Sequence, residues 1–227
     1  MAFYNEYRPK QFSSVVGQDK VVDILKRQAM IGQYSHSYLF FGSSGTGKTT
    51  TARILASSMN CLNGHKEGEP CGECQNCRTI QECRNWDVRE IDGANLRGID
   101  DIRNLISHSY LYPMTGSKKV YIIDEAHSLT PEAFNCLLKL LEEPPPYLVI
   151  ILVTTNFERI PETIVSRCQL YPFAKLKAEY IKSKLKAIVK SEGMDIDDKG
   201  LEFVAQCSGG NCRIAENQLE QQCVLAR

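Results

Sequence analysis

The sequence has no run of about 18 apolar residues, so nothing in it reads as a membrane-spanning helix. It also lacks net charge, since 27 basic residues balance 27 acidic ones. Nucleic-acid binding by bulk positive charge is thereby excluded, and any DNA contact is expected to be local or shared with partner chains. The start, Met1-Ala2-Phe3-Tyr4-Asn5-Glu6, lacks the basic, apolar, small-residue order of a signal peptide, so a cytoplasmic location is expected. Internal repeats and low-complexity tracts are missing too. Cysteine, in contrast, is plentiful, with ten residues. In a reducing compartment clustered thiols more often hold a metal than form disulfides. Length and an ordinary apolar fraction of 43% allow one sizeable core plus a small second domain.

Residues 1–18 read as an irregular arm, and Asp19 as the N-cap of a helix over 20–31 built on Val21, Val22, Leu25 and Ala29. Apolar strands at 37–41, 88–91, 119–124, 148–154 and 170–173 alternate with helical patterns at 48–60, 99–110 and 131–142. This alternation predicts an α/β fold, a parallel sheet with helices on both faces. The β-branched run Leu148–Thr154 suits a strand buried on both sides. After residue 173 strands cease and helical patterns follow at 178–191, 198–207 and 211–225, so a division into 1–173 and a small helical domain 174–227 is expected.

Gly42-Ser43-Ser44-Gly45-Thr46-Gly47-Lys48-Thr49 fits G-x-x-x-x-G-K-[ST] at every position, between a strand and a helix. Glycines let successive amides point inward at phosphate oxygens, and the helix that begins here, with Thr50 in its first turn, adds its dipole. Lys48 is expected on the β- and γ-phosphates, and the Thr49 hydroxyl on Mg²⁺. The strand Val120–Ile123 ends in Asp124 and Glu125, where ligands of open parallel sheets bind. Asp124 is expected to hold Mg²⁺ and Glu125 to orient or activate the attacking water of an ATP hydrolysis. The competing reading makes both carboxylates a cap for the next helix.

Cys71, Cys74 and Cys77 follow C-x2-C-x2-C spacing, with Cys61 ten residues earlier. Four thiolates suit tetrahedral Zn²⁺ in a segment, about 61–83, with too few apolar residues for its own core. Cys83 and His65 compete as ligands. Cys61 is preferred because it ends the preceding helix, where the geometry is fixed, and Cys83 is read as a free thiol in a helix. Arg167 and Arg213, judged by composition alone, are ordinary surface arginines.

In this order the motifs resemble those of the AAA+ clamp-loader ATPases and are similar to the gamma/tau family of bacterial DNA polymerase III. Tyr7-Arg8-Pro9, Val15-Val16-Gly17-Gln18, Asp124-Glu125-Ala126-His127, Leu140–Pro145 and Ser166-Arg167-Cys168 carry the match, together with the four-cysteine insertion. The resemblance implies an AAA+ P-loop parallel sheet flanked by helices, with a zinc-binding insertion and a helical lid domain. It also implies an adenine pocket lined by 7–9 and 15–18, a polar sensor at Thr155 (Asn156 as the alternative), a trans-acting Arg167 and a second, cis-acting sensor at Arg213. Ile214 follows Arg213 where the family usually has Asp, and only Arg97 is basic after the strand end at 91–92, so Arg97 is as readily a solvated residue as a DNA contact.

The implied cofactors are ATP, Mg²⁺ and Zn²⁺. The implied partners are the delta, delta-prime and further gamma/tau subunits, the sliding clamp, and primer–template DNA through the assembled complex. The family's subunits carry a helical collar after the lid, so the chain is expected to be a monomeric fragment. Competing readings are another AAA+ machine, such as a Holliday-junction motor or helicase loader, and a catalytically weak scaffold.

Overall fold

A computed structural model describes residues 2–64, 66–95 and 99–225. Its elements run α1 (Phe3–Glu6), α2 (Asp19–Ile31), β1 (Ser37–Gly42), α3 (Lys48–Met59), α4 (Gln75–Gln81), β2 (Val88–Asp92) and α5 (Ile99–Ser109). They continue with β3 (Lys119–Asp124), α6 (Pro131–Glu142), β4 (Leu148–Thr154), α7 (Glu162–Val165), β5 (Gln169–Phe173), α8 (Ala178–Glu192), α9 (Asp198–Cys207) and α10 (Cys212–Leu225). The strands form one sheet in the order β2-β3-β4-β1-β5, with every neighbouring pair parallel.

Local chemistry sets the element ends. Thr130 caps α6 by accepting from the Ala133 amide, and Pro131 opens the helix where its missing N–H costs nothing. Asp197 caps α9 by accepting from the Gly200 amide. Gly193 closes α8 in the left-handed conformation, at φ 65°. All seven residues of β4 are buried, as its continuous apolar run requires.

Alternation along β1, β3 and β4 splits the core. Phe40, Ile122, Ile151 and Val153 face α2 and α3, while Leu39, Tyr121, Ile123 and Leu152 face α5 and α6. A third apolar cluster joins α8, α9 and α10 through Ile181, Leu185, Ile188, Val204 and Leu219.

The structure departs from the sequence pattern in several places. The arm is not wholly irregular: it contains α1, whose Phe3 packs into the third cluster. Asp19 is the first residue of α2, and Gln18 is its cap. The cysteine segment holds α4, too short to show a period. Cys83 lies past α4 with φ 57°, so it is not in a helix. Among the described residues no helix is long and apolar enough to cross a membrane.

Candidate functional site

β1 delivers the chain into the glycine loop at the same sheet edge where β3 ends in Asp124 and β4 in Thr154. Glycine is required at Gly42, where φ is 143° and a Cβ would lie 2.2 Å from the Phe173 carbonyl oxygen. Gly47 precedes α3 without any side-chain cap, so the first-turn amides are available to an anion.

Lys48 is buried, and its Nζ donates to the carbonyls of Gly42 at 2.8 Å and Ser43 at 2.7 Å. Burial lowers the lysine's pKa, against the opposing pull of Glu125 and Asp124. The Thr49 hydroxyl donates to Asp124 Oδ2 at 2.8 Å. Burial raises the Asp124 carboxyl above the usual aspartate range. A half-buried hydroxyl–carboxylate pair beside a lysine is an oxygen donor set of the kind Mg²⁺ takes with nucleotide phosphates.

Glu125 has φ 47°, a left-handed conformation that costs a non-glycine residue. Its Oε2 accepts from the Thr155 hydroxyl at 2.9 Å and lies 3.3 Å from His127 Nδ1. His127 Nδ1 is in turn 3.1 Å from Thr154 Oγ1. Two elements therefore fix one carboxylate at the sheet edge.

Lys48, Thr49, Asp124 and Glu125 line a cleft shared with residues from the arm and from α8 and α10. Arg8, Pro9, Val15 and Val16 form its arm side. Tyr7 instead turns its hydroxyl to Glu192 at 2.6 Å, and Gly17 packs against Leu176 and Tyr180. Arg213 lines the cleft, with its guanidinium 5.7 Å from the centre of the Tyr4 ring. Thr155 lines it too, whereas the Asn156 amide donates to Thr154 Oγ1. Arg167 lies outside the cleft, paired with Glu142 at 2.5 Å and donating to the Thr163 carbonyl at 2.8 Å. Arg97 lies outside the described residues.

The sulfurs of Cys61, Cys71, Cys74 and Cys77 all lie within 4.8 Å of one another, a group that could hold a metal ion. Sulfurs around tetrahedral zinc stand about 3.8 Å apart, and Cys71 and Cys77 are 3.9 Å apart. Backbone amides of Cys71, Cys74 and Cys77 donate to the sulfurs of Cys61, Cys71 and Cys74. Burial opposes ionisation of Cys74, but the amides of Cys77 and Leu62 outweigh it and draw the thiol down to about 6. Cys83 stands outside this group, and His65 lies outside the described residues. Glu69 ties the module to the body through the amides of Phe12 and Ser13 and an ion pair with Lys26.

The family described as DNA polymerase III, delta subunit, matches residues 17–177. The chain belongs to that family.

Its curated relatives carry the gamma/tau names, as the sequence motifs implied. It is 40% identical to the tau subunit of Bacillus subtilis DNA polymerase III, over 97% of this chain and 39% of that protein. It is 39% identical to the gamma subunit of Buchnera aphidicola subsp. Acyrthosiphon pisum, over 95% of this chain and 59% of that protein. The chain thus spans about two to three fifths of the length of these relatives. Among solved structures, the RuvB Holliday junction branch migration motor of Thermotoga maritima superposes with a TM-score of 0.71. Identity there is 22%, over 94% of this chain and 64% of that one, a likeness of AAA+ fold alone.

Sequence reasoning missed Tyr4, Arg53, Glu90, Leu176, Lys184, Cys212 and Glu216 as cleft residues. The spacing of Cys212 and Glu216, one helical turn apart and flanking Arg213, was the available signal. Nothing in the sequence announced Tyr4, because its place depends on the arm folding onto α10.

Proposed function

We propose that this chain is an ATPase unit of the replicative clamp loader of DNA polymerase III, using ATP binding and hydrolysis to load a sliding clamp onto primed DNA. The observation that carries this reading is the joining of Thr49 to Asp124, and of Thr155 to Glu125, beside one complete phosphate loop. The polymerase III names of its relatives support the setting.

In this reading residues 1–173 form the nucleotide-binding domain and 174–227 the lid. Amides of residues 43–49 cradle the phosphates. Lys48 leaves the carbonyls of Gly42 and Ser43 for the β- and γ-phosphates. Thr49 and Asp124 hold Mg²⁺, which when bound would offset phosphate charge. Glu125 receives a proton from the attacking water, with Thr155 and His127 fixing its carboxylate. Arg213 reaches the nucleotide in cis, and Arg167 serves a neighbouring subunit in trans. Cys61, Cys71, Cys74 and Cys77 hold Zn²⁺ as a structural ion. The partners are delta, delta-prime and further gamma/tau subunits, the sliding clamp, and primer–template DNA.

Titration calorimetry with Mg-ATP, together with phosphate release, tests the reading. Wild type should bind and turn over slowly, and Lys48→Ala should do neither. Equal behaviour of the two proteins would overturn it.

A further inference from the structure

Between the cleft residues Arg8 and Pro9 and the cleft residues Val15 and Val16, the arm makes a short 3₁₀ turn, Phe12–Ser14. No side chain of its own caps that turn, so its opening amides need a partner from elsewhere. Glu69 supplies it: the carboxylate accepts from the Phe12 amide at 2.7 Å and from the Ser13 amide at 2.9 Å. Beside it the Gln11 side chain donates to the Pro70 carbonyl at 3.4 Å. Among the described residues, every hydrogen bond between residues 9–16 and the rest of the chain goes to Glu69 or Pro70. Phe12 is fully buried, and Val15 packs against the same apolar cluster. That burial holds the turn to the body but is non-directional, whereas the two amide bonds fix the direction of its backbone.

Glu69 is itself held firmly. Glu67 and Gly68 have φ 55° and 80°, and the Glu69 amide donates to the Lys66 carbonyl at 3.0 Å, the pattern of a two-residue hairpin turn. Gly68 admits no side chain, because a Cβ would lie 2.5 Å from the Lys26 carbonyl oxygen, so the turn lies directly on α2. Lys26 Nζ stands 3.0 Å from Glu69 Oε1, and only 15% of the Glu69 side chain is exposed, so water competes little for its oxygens. Cys61 precedes this turn and Cys71 follows Glu69 by two residues, so the anchor of the arm belongs to the cysteine module.

We infer that Glu69 is a positioning residue for nucleotide binding, through which the cysteine module sets the affinity of the cleft. Glu69 does not line the cleft. It holds the amides of residues 12 and 13, and thereby the lining residues on either side of them. Releasing the arm leaves Lys48, Asp124 and Glu125 where the sheet and α3 put them, so binding responds and the chemical step does not. This inference rests on the nucleotide-binding reading above and adds what fixes the arm wall of the cleft.

The test measures Kd and KM for Mg-ATP, and kcat, for the whole chain and for Glu69→Ala. An arm that keeps its place in only about a tenth of the molecules lowers apparent affinity about ten-fold. Glu69→Ala should show that loss in Kd and KM, with kcat within about two-fold of wild type, the signature of lost binding without lost chemistry. Glu69→Gln keeps one acceptor oxygen for one of the two amides and should recover part of the loss. Amide hydrogen exchange without nucleotide should quicken over residues 9–16 in Glu69→Ala and stay as in wild type over α4 and β1.

Unchanged Kd and KM in a folded Glu69→Ala would overturn the inference. So would a fall in kcat at unchanged KM, the mark of a smaller active fraction, and so would faster exchange spread through α4, which would place the effect in the module's own fold. Where Glu69→Ala does not fold, Glu69→Gln carries the same comparison: weaker binding at wild-type kcat supports the inference, and wild-type Kd overturns it. A wild type that binds no nucleotide would sink the nucleotide reading and this inference with it. A wild type that binds, beside a variant that binds equally well, sinks this inference alone.

Discussion

The backbone amide of Cys212 donates to the carbonyl of Gly45 at 3.1 Å, so the first residue of α10 rests on the phosphate loop itself. The approach is possible because Gly45 has no side chain. A Cβ there would lie 1.8 Å from Asn211 Oδ1, and the residue's φ of 71° already favours glycine. Gly45→Ala should therefore push α10 off the loop and weaken nucleotide affinity by about ten-fold or more, given the strain of such positions. Asn211→Ser shortens the opposing side chain while keeping a helix cap, and should recover part of that loss. Affinity measured for wild type, the two single variants and the double variant checks this. Wild-type affinity in the Gly45→Ala protein would refute it.

Hydrolysis and binding should separate at Glu125. Glu125→Gln leaves Lys48 and the loop intact, so ATP should still bind while turnover falls by about 100-fold or more, as for loss of a general base. Thr155→Val removes the hydroxyl that donates to Glu125 Oε2 and should lower turnover to a smaller extent. Single-turnover phosphate release reads both effects without interference from product release.

Arg167 should be silent in the isolated chain. Its partner Glu142 is 49% exposed at the side chain, so losing the pair by Arg167→Ala should cost under about 1 kcal/mol of stability. Basal turnover should not change either, because Arg167 does not line its own cleft. In an assembled loader the same substitution should cut turnover by about 1,000-fold, as for other trans arginines. The contrast between the two assays is the diagnostic.

Asp87 anchors the loop that follows α5. Its carboxylate accepts from the amides of Met114, Thr115 and Gly116 and from the Thr115 hydroxyl. Burial opposes its ionisation, but these donors outweigh it and hold its pKa below the ordinary value of 3.8. A depressed carboxylate stabilises the fold above its unfolded pKa, and this contribution is lost as pH falls through the folded value. Asp87→Asn should thus cost about 1–3 kcal/mol at pH 7 through mismatched donors. The gap to wild type should narrow in strong acid. Urea midpoints at both pH values give the comparison, and a gap that widens in acid would contradict the assignment.

Metal removal should act on the module around α4. The chain should bind about one equivalent of zinc, the capacity of one four-cysteine site. Chelation or Cys71→Ser should lower the melting midpoint and expose residues 61–81 to proteolysis, since this segment buries few apolar groups of its own. Metal analysis and limited digestion measure the two effects. A chain that carries no metal and resists digestion would contradict the ligand assignment.

The sequence by itself determined what depends on neighbours along the chain. The phosphate loop needs its glycines, Lys48 and Thr49 contiguous, and β3 must carry Asp124 and Glu125 out of its end. Three of the four clustered cysteines fall within seven residues, and the strands declare themselves by apolar runs. Helix α4 and the short α1 escaped notice because seven or four residues are too few to show a period.

Only the tertiary structure decided what distant segments do to one another. Phe3 of the arm donates its amide to Glu220, 217 residues away, which brings Tyr4 under Arg213. The same fold brings Lys184 and Glu216 together in the cleft wall and leaves Arg167 outside it. Such contacts arise from packing apolar faces of separate helices, and linear spacing carries no record of which faces will meet.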